Sequence, residues 1–224
     1  MKEYTVKILE VKQLTHDVKG FRLEKPEGYI FSPGQAASIA VSKKGWKDEK
    51  RPFTFTGLPG DDDLELVIKI YKSHEGVTNE IDNLDKGDKL IIGPPWGSIK
   101  YSGEGVFIAG GSGITPFISI LRSLQAENAV AGNKLLFANN TAADIILEDE
   151  LRDILGSDNF INILAKEEVA GYRHGFIDRD LLDEFVNPDK GIIYLCGPPP
   201  MMKAVEEHLG EMGVGDDRLV KESF

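Results

Sequence analysis

Two architectures in series are predicted by this sequence: a small antiparallel β-barrel over residues 1–101, then a parallel α/β domain over residues 102–224. Three observations carry the prediction. In the first half the chain is a series of short apolar stretches with partial period-two alternation, separated by proline and glycine turns, as in small all-β barrels. From Gly105 onward short apolar runs alternate with segments of helical spacing, the pattern of a parallel sheet covered on both faces. Between the first of those runs and the first helical segment stands the glycine-rich turn Gly110-Gly111-Ser112-Gly113.

In the first half, strands are expected over 4–14, 18–24, 36–41, 53–57 and 64–71, where β-type residues recur with partial alternation. The turns carry their own signals in Pro26-Glu27-Gly28, Ser32-Pro33-Gly34 and Leu58-Pro59-Gly60-Asp61. Residues 77–84 are helical in spacing, and a strand over 89–93 is expected to end at Pro94-Pro95. In the second half the expected order is strand 106–109, helix 115–127, strand 135–138, helix 145–155, strand 160–165, helix 180–185, strand 191–196 and helix 201–212, with Leu219-Val220 as a last strand. Tyr101-Ser102-Gly103-Glu104 is the expected seam, and there is no internal repeat.

The hydrophobic fraction of 41% is enough for real cores, and a net charge of −11 argues against a general nucleic-acid binder. The lone cysteine, Cys196, excludes an internal disulfide, a zinc cluster or an iron–sulfur centre held by this chain alone, and no metal is expected. The first residues read as a strand without the apolar core of a signal peptide, and no apolar run approaches the roughly 18 residues of a membrane span. A soluble cytoplasmic protein is the expectation.

The motifs that carry chemistry begin with Arg51-Pro52-Phe53-Thr54. Along a strand Arg51 and Phe53 point one way and Thr54 the other, unless the strand end twists. A guanidinium binds a pyrophosphate through bidentate hydrogen bonds, a phenyl ring lies on a flavin face, and a threonine hydroxyl donates to a flavin ring nitrogen. Taken alone the tetrapeptide is more often an ordinary strand start with proline at its edge. In His74-Glu75-Gly76-Val77-Thr78, glycine lets the backbone approach a ligand, and Thr78 opens a helix whose first N–H groups face an anion; a plain cap is the bland alternative.

Residues 106–116 are stronger: strand, glycine turn, Thr115 as cap and Pro116 at the first helical position make a phosphate site in that order. The run departs from the dinucleotide fingerprint, with proline in place of the third glycine and Asn139-Asn140 where an acid follows the next strand. In Tyr194-Leu195-Cys196-Gly197-Pro198-Pro199-Pro200-Met201 a strand ends at Cys196, at the edge of any nucleotide site, although a lone cysteine is more often a small buried hydrophobe. His16, His74, His174 and His208 read as surface or loop residues, none of them a base partner. Val220-Lys221-Glu222-Ser223-Phe224 puts a carboxylate and an aromatic ring at the last residues, pinned near the site by the final strand or simply frayed. Lys43-Lys44-Gly45-Trp46-Lys47 is a basic turn on an acidic protein, either a solvated loop or a dock for an acidic redox partner.

In this order the motifs resemble those of the ferredoxin–NADP(H) reductase superfamily, over nearly the whole chain. Arg51, Phe53 and Thr54 match its Arg-x-(Tyr/Phe)-(Ser/Thr) flavin motif, and Gly76-Val77-Thr78 its second flavin segment. Gly93-Pro94-Pro95-Trp96-Gly97 resembles its Gly-Pro-x-Gly turn with one residue added. Residues 110–116 match the nucleotide turn, Cys196-Gly197-Pro198 the nicotinamide-side motif, and Glu222-Ser223-Phe224 the Glu-x-Tyr ending of some members.

The resemblance implies a six-stranded Greek-key FAD barrel and an NAD(P)-binding α/β domain, with hydride passing between nicotinamide C4 and flavin N5 across their cleft. It implies that Arg51 holds the flavin pyrophosphate, Phe53 packs on the flavin, Thr54 bonds near N5 and Thr78 binds the phosphate tail. Gly110, Gly111, Gly113, Thr115 and Pro116 would hold the dinucleotide, Cys196 would sit beside the nicotinamide, and Phe224 would cover the ring until the nicotinamide displaces it. Pro52, Ile68, Lys69, Gly76, Val77, Asn139, Asn140, Gly197, Pro198 and Met201 complete the expected cofactor-binding set, and Thr54, Cys196, Glu222 and Phe224 the expected catalytic set.

Some positions depart from the family pattern. Phe53 lacks the tyrosine hydroxyl, and Phe224 replaces tyrosine but keeps the stack. Without a fused iron–sulfur domain the electrons are expected to leave to another molecule: flavodoxin, ferredoxin, a haem protein or a small quinone. The segment Asn139-Asn140-Thr141-Ala142-Ala143-Asp144 offers no basic residue for a 2′-phosphate and ends in Asp144, which would repel one; this favours NADH over NADPH unless Lys166 or Arg173 reaches it. An electron-transfer subunit of a larger complex and a flavin-binding sensor without turnover are the rival readings.

Overall fold

The computed structural model describes residues 2–73 and 75–222. The alternating stretches of the first half form β1 (Tyr4–Thr15), β2 (Val18–Glu24), β3 (Ala36–Val41), β4 (Arg51–Thr54), β5 (Asp63–Lys69) and, after the short helix α1 (Val77–Asp82), β6 (Lys89–Trp96). These make one six-stranded antiparallel sheet in the order β4-β3-β6-β1-β2-β5. Its two ends meet, because Phe55 forms an antiparallel bridge with Leu66 and the Thr56 N–H donates to the Glu65 carbonyl at 2.9 Å. Closure of this kind turns the sheet into a barrel and removes its edges. Inward-facing Val6, Ile8, Phe21, Leu23, Ile39, Phe55, Leu64 and Leu66 fill the interior, and Val77 and Ile81 of α1 pack onto the same core. The Tyr29 hydroxyl, surrounded by that core, donates to the Gly93 carbonyl at 2.7 Å, as a buried polar group must.

Two expectations fail here for physical reasons. β6 does not end before Pro94-Pro95 but runs to Trp96. β1 pairs with β6 only as far as Ile92, so beyond it only the β3 side of the ladder remains, where Pro95 and Trp96 lie opposite Ala37 and Ala36. A proline is tolerated where one side of a strand is unpaired. β4 starts at Arg51 and stops at Thr54, because Phe55 leaves β3 to close the barrel on β5.

The second half folds as β7 (Gly105–Gly110), α2 (Thr115–Ala126), β8 (Lys134–Asn139), α3 (Glu148–Leu155), β9 (Phe160–Leu164), β10 (Arg173–His174), α4 (Arg179–Phe185), β11 (Ile192–Cys196), α5 (Pro199–Glu211) and β12 (Leu219–Lys221). Its strands form a parallel sheet in the order β10-β9-β8-β7-β11-β12. Every residue of β7 is buried, as expected of a central strand covered on both faces. Phe107, Phe137 and Tyr194 pack with α2 and α3 on one face, and Ile108, Leu136 and Leu195 pack with α4 and α5 on the other.

The helix expected over 145–155 begins only at Glu148. A 3₁₀ turn, Ala142–Asp144, closes first through reciprocal bonds between Thr141 and Asp144. Ile145 and Ile146 are then drawn into the core, and Leu147 takes a left-handed φ of 53° before the acidic first turn Glu148, Asp149, Glu150. Carboxylates there favour a helix start. Thr115 is not a cap either: a 3₁₀ turn over Gly111–Ile114 runs straight into α2, Ile114 takes the N-cap position, and the Thr115 hydroxyl donates to the Ser112 carbonyl at 3.0 Å. The two-residue strand β10 is too short to leave a sequence pattern.

The barrel and the parallel sheet share a core. Val18 and Val67 of the barrel belong to the same buried cluster as Ile114, Phe117, Ile118 and Leu121 around α2. Among the described residues no helix is long and apolar enough to cross a membrane.

Candidate active site

The parallel sheet is built outward in both directions from β7, with β8 on one side and β11 on the other. A crevice at the carboxyl ends of strands flanking such a reversal is where open α/β sheets take ligands. Here those ends are Gly110 and Cys196, and Cys196 pairs with Ala109 across the ladder. A cleft of about 1180 Å³ opens there and extends to β4, β5 and the start of α1. The cleft exceeds the roughly 300–1,000 Å³ of a typical ligand pocket, and both halves of the chain line it.

The barrel contributes Arg51, Pro52, Phe53, Thr54, Ile68, Lys69, Gly76, Val77 and Thr78 to its wall. The second half contributes Gly110, Gly111, Gly113, Thr115, Pro116, Asn139, Asn140, Cys196, Gly197, Pro198, Met201 and Glu222. These are all the expected site residues but one: Phe224 lies outside the described residues, as do Ser223 and His74.

The polar groups on this wall are poorly matched by partners within the protein. Arg51 donates from Nη1 to the Lys50 carbonyl at 2.8 Å and lies 3.9 Å from Glu49, which leaves most of its fork open. Neither amide atom of Asn139 has a partner, although the residue is only 8% exposed. Glu222 Oε1 is shielded from solvent and unpaired, and burial raises its carboxyl above the usual range. Burial, with the nearby Glu222 charge adding to it, pushes the Cys196 thiol up to about 12. Cys196 is therefore a neutral thiol at physiological pH and not a nucleophile. Two expected contacts are already engaged: Ile68 belongs to the barrel core, and the Lys69 ammonium sits 2.9 Å from Asp17.

The glycines of the nucleotide turn divide by cause. A Cβ on Gly113 would overlap the Cys196 carbonyl, and one on Gly110 would stand 2.8 Å from Pro198 Cδ. Both are glycine because the turn packs against the end of β11. Gly111 faces open space and needs its φ of +51° instead.

Sequence reading missed part of the wall. Phe176, 78% exposed, and Ile177 face the cleft, as do Tyr71 and Glu75. Phe176 has no periodic neighbours to mark it; only the glycine before it hints at a special loop. Asp144, the acid expected to repel a 2′-phosphate, does line the cleft, its Oδ2 accepting from the Thr141 N–H and hydroxyl at 2.9 and 2.8 Å. His16, expected as a plain surface residue, lies 3.7 Å from both Asp144 and Asp17, and so ties the β1–β2 turn to the turn after β8.

Residues 3–89 match the family model of an FAD-binding domain, and residues 107–207 that of an oxidoreductase NAD-binding domain. The chain is 34% identical to NADH-cytochrome b5 reductase 2 of Coccidioides immitis (strain RS), over 89% of this chain and 67% of that protein. It is 26% identical to NADH-cytochrome b5 reductase 2 of Rattus norvegicus, over 97% of this chain and 93% of that protein. The flavohem-like FAD/NAD-binding domain of nitric oxide dioxygenase from Vibrio cholerae O1 biovar El Tor shares the fold, with a TM-score of 0.87 at 24% identity over 98% of both chains. Fold, cleft and relatives define a flavin enzyme, an FAD-dependent NAD(P)H oxidoreductase. The chain belongs to the ferredoxin–NADP(H) reductase superfamily.

Proposed function

We propose that the enzyme takes hydride from NADH and hands electrons one at a time to a separate small redox protein. The observation that carries this reading is that unpaired Asn139 and Glu222, and Arg51 with most of its fork open, stand on one cleft lined by both halves of the chain. When bound, FAD supplies the chemistry that accepts a hydride and releases single electrons. Arg51 holds the flavin diphosphate through its open fork, and Thr78 holds the phosphate tail. Phe53, half-buried against the barrel core, is a fixed wall for the ring system. Thr54 presents a hydroxyl at the flavin's reactive edge.

On the other side, the backbone of Gly110, Gly111 and Gly113 receives the dinucleotide phosphates at the start of α2. Asn139 gives its orphaned amide to the nucleotide. Phe176, exposed at the cleft mouth, offers a stacking face for the adenine. Neutral Cys196 is a small wall beside the nicotinamide, and Glu222 holds a proton or a hydrogen bond there. Asp144 supports NADH over NADPH, because its carboxylate repels a 2′-phosphate.

The relatives' names, NADH-cytochrome b5 reductases, support both the donor and a protein acceptor. In the basic turn Lys43 is paired with Glu80, so Lys44 and Lys47 are the exposed cations that an acidic partner would meet. Anaerobic NADH is expected to bleach the visible flavin band of the purified protein within seconds. Turnover with cytochrome b5, ferredoxin, flavodoxin and ferricyanide then ranks the acceptors. Activity with ferricyanide alone would remove the protein-acceptor reading.

A further inference from the structure

Arg122 lies on α2, outside the cleft, and is 19% exposed. It donates from Nη1 to the Thr56 carbonyl at 2.9 Å and to Glu65 Oε1 at 2.6 Å, both in the barrel. Its other side donates to Glu150 of α3, Nε to Oε1 at 2.5 Å and Nη2 to Oε2 at 3.0 Å. The Thr56 hydroxyl donates to the same Glu65 oxygen at 2.8 Å, so that acceptor is held from two directions. One helical turn away, buried Ser119 donates to the Gly57 carbonyl at 2.9 Å.

These contacts fall at particular points in the sequence. Thr56 and Gly57 follow directly on Arg51-Pro52-Phe53-Thr54, and α2 starts where the glycine turn ends. From Thr115 to Arg122 the helix is a rigid rod of roughly 10 Å. Beside these bonds the seam around α2 is packed with apolar side chains, Val18 and Val67 against Phe117 and its neighbours. Apolar burial is non-directional, and close packing holds two layers by shape without pairing particular donors and acceptors. A planar guanidinium with fixed donors in three directions adds those pairs.

We propose that Arg122 is a positioning residue for hydride transfer: by joining Thr56 and Glu65 to Glu150, it sets the distance and angle between the flavin-side strand and the nucleotide turn. The role rests on the reading that flavin and nicotinamide share the cleft. It does not require Arg122 to touch either one. An arginine buried for stability alone is a poor choice, since a well-packed apolar group of similar volume does as well or better. Its directional bonds are what an apolar group lacks.

The test uses the full FAD-loaded chain as wild type, Arg122→Gln, Arg122→Lys and Glu150→Gln. Four quantities are read: the limiting rate of flavin bleaching at saturating NADH, the primary deuterium isotope effect on it, the NADH dissociation constant, and amide hydrogen exchange over residues 55–66. A misplacement of about 1 Å costs on the order of a hundredfold in rate, so Arg122→Gln is expected to slow bleaching about 10–100-fold per bound FAD. NADH affinity should change less than about threefold, the isotope effect should shift, and exchange in 55–66 should quicken. Arg122→Lys should restore only part of the rate.

A limiting rate within about twofold of wild type, with an unchanged isotope effect, overturns the proposal whatever happens to the melting temperature. Unaltered exchange in 55–66 overturns it as well. If Arg122→Gln does not fold, Glu150→Gln decides on the same criteria, because it keeps the shape and an acceptor oxygen. A wild-type flavin that NADH leaves oxidised overturns the reading of the cleft, and the positioning role falls with it.

Discussion

The nucleotide turn packs tightly on the end of β11: Gly113 stands against the Cys196 carbonyl with no space for a Cβ between them. The neighbouring atom is backbone, so no rotamer change relieves the overlap. Gly113→Ala is expected to destabilise the fold by about 1–3 kcal/mol, the usual range for overpacking, and to weaken NADH binding as the turn moves. Gly60→Ala, with open space around it and no left-handed φ, is the control and should stay within about 0.5 kcal/mol. Urea denaturation of both variants checks this. Equal midpoints would show that the turn has slack.

Arg51 has little to lose inside the protein, because its partners there are one carbonyl and a distant carboxylate. Arg51→Ala should therefore leave the melting temperature of the apoprotein nearly unchanged. FAD affinity should fall by about 1.5–3 kcal/mol, the loss of a charged hydrogen bond. Titration of apoprotein with FAD, followed by fluorescence quenching, measures it. Full affinity in the variant would remove Arg51 from the flavin site.

Asp144 carries the cofactor preference in this reading. Asp144→Asn keeps a polar group near Thr141 and removes the charge. The ratio of kcat/KM for NADPH over NADH should rise about tenfold, equivalent to ~1.4 kcal/mol of relieved repulsion. An unchanged ratio would place the 2′ position away from Asp144.

Glu222 makes stability depend on pH. Its carboxyl is raised in the folded protein by burial, so the folded state holds that proton more tightly than the unfolded chain does. The stabilising contribution is complete below the ordinary carboxylate range and is lost as pH rises through the raised folded value. Glu222→Gln mimics the protonated form at every pH. The variant should melt at or above wild type near neutral pH, and the two should converge towards about pH 4. Parallel melting curves across that range would mean the carboxyl is not destabilised by its surroundings.

Much of this was legible in the sequence because it is local. Period-two alternation placed the barrel strands, and the order of strand, glycine turn and helix placed β7 and α2. The residue types in Arg51-Pro52-Phe53-Thr54 carried their chemistry with them. Boundaries failed where a distant partner decided them: the missing β1 side of the ladder let β6 pass through two prolines, and barrel closure ended β4 at Thr54. Thr115 looked like a cap because no pattern marks a 3₁₀ turn leading into a helix.

The sequence by itself determined the kind of elements, their order and the side chains able to bind a flavin or a phosphate, since each depends on residues within a turn or two of one another. Only the tertiary structure decided which of them meet. Asp144 and Phe176 reach the cleft through loops without periodicity. Gly113 must be glycine because Cys196, far along the chain, arrives beside it. Arg122 reads as one more cation on a helix until folding brings Thr56, Glu65 and Glu150 around it. Contacts of this kind depend on how whole layers pack, and no local pattern encodes them.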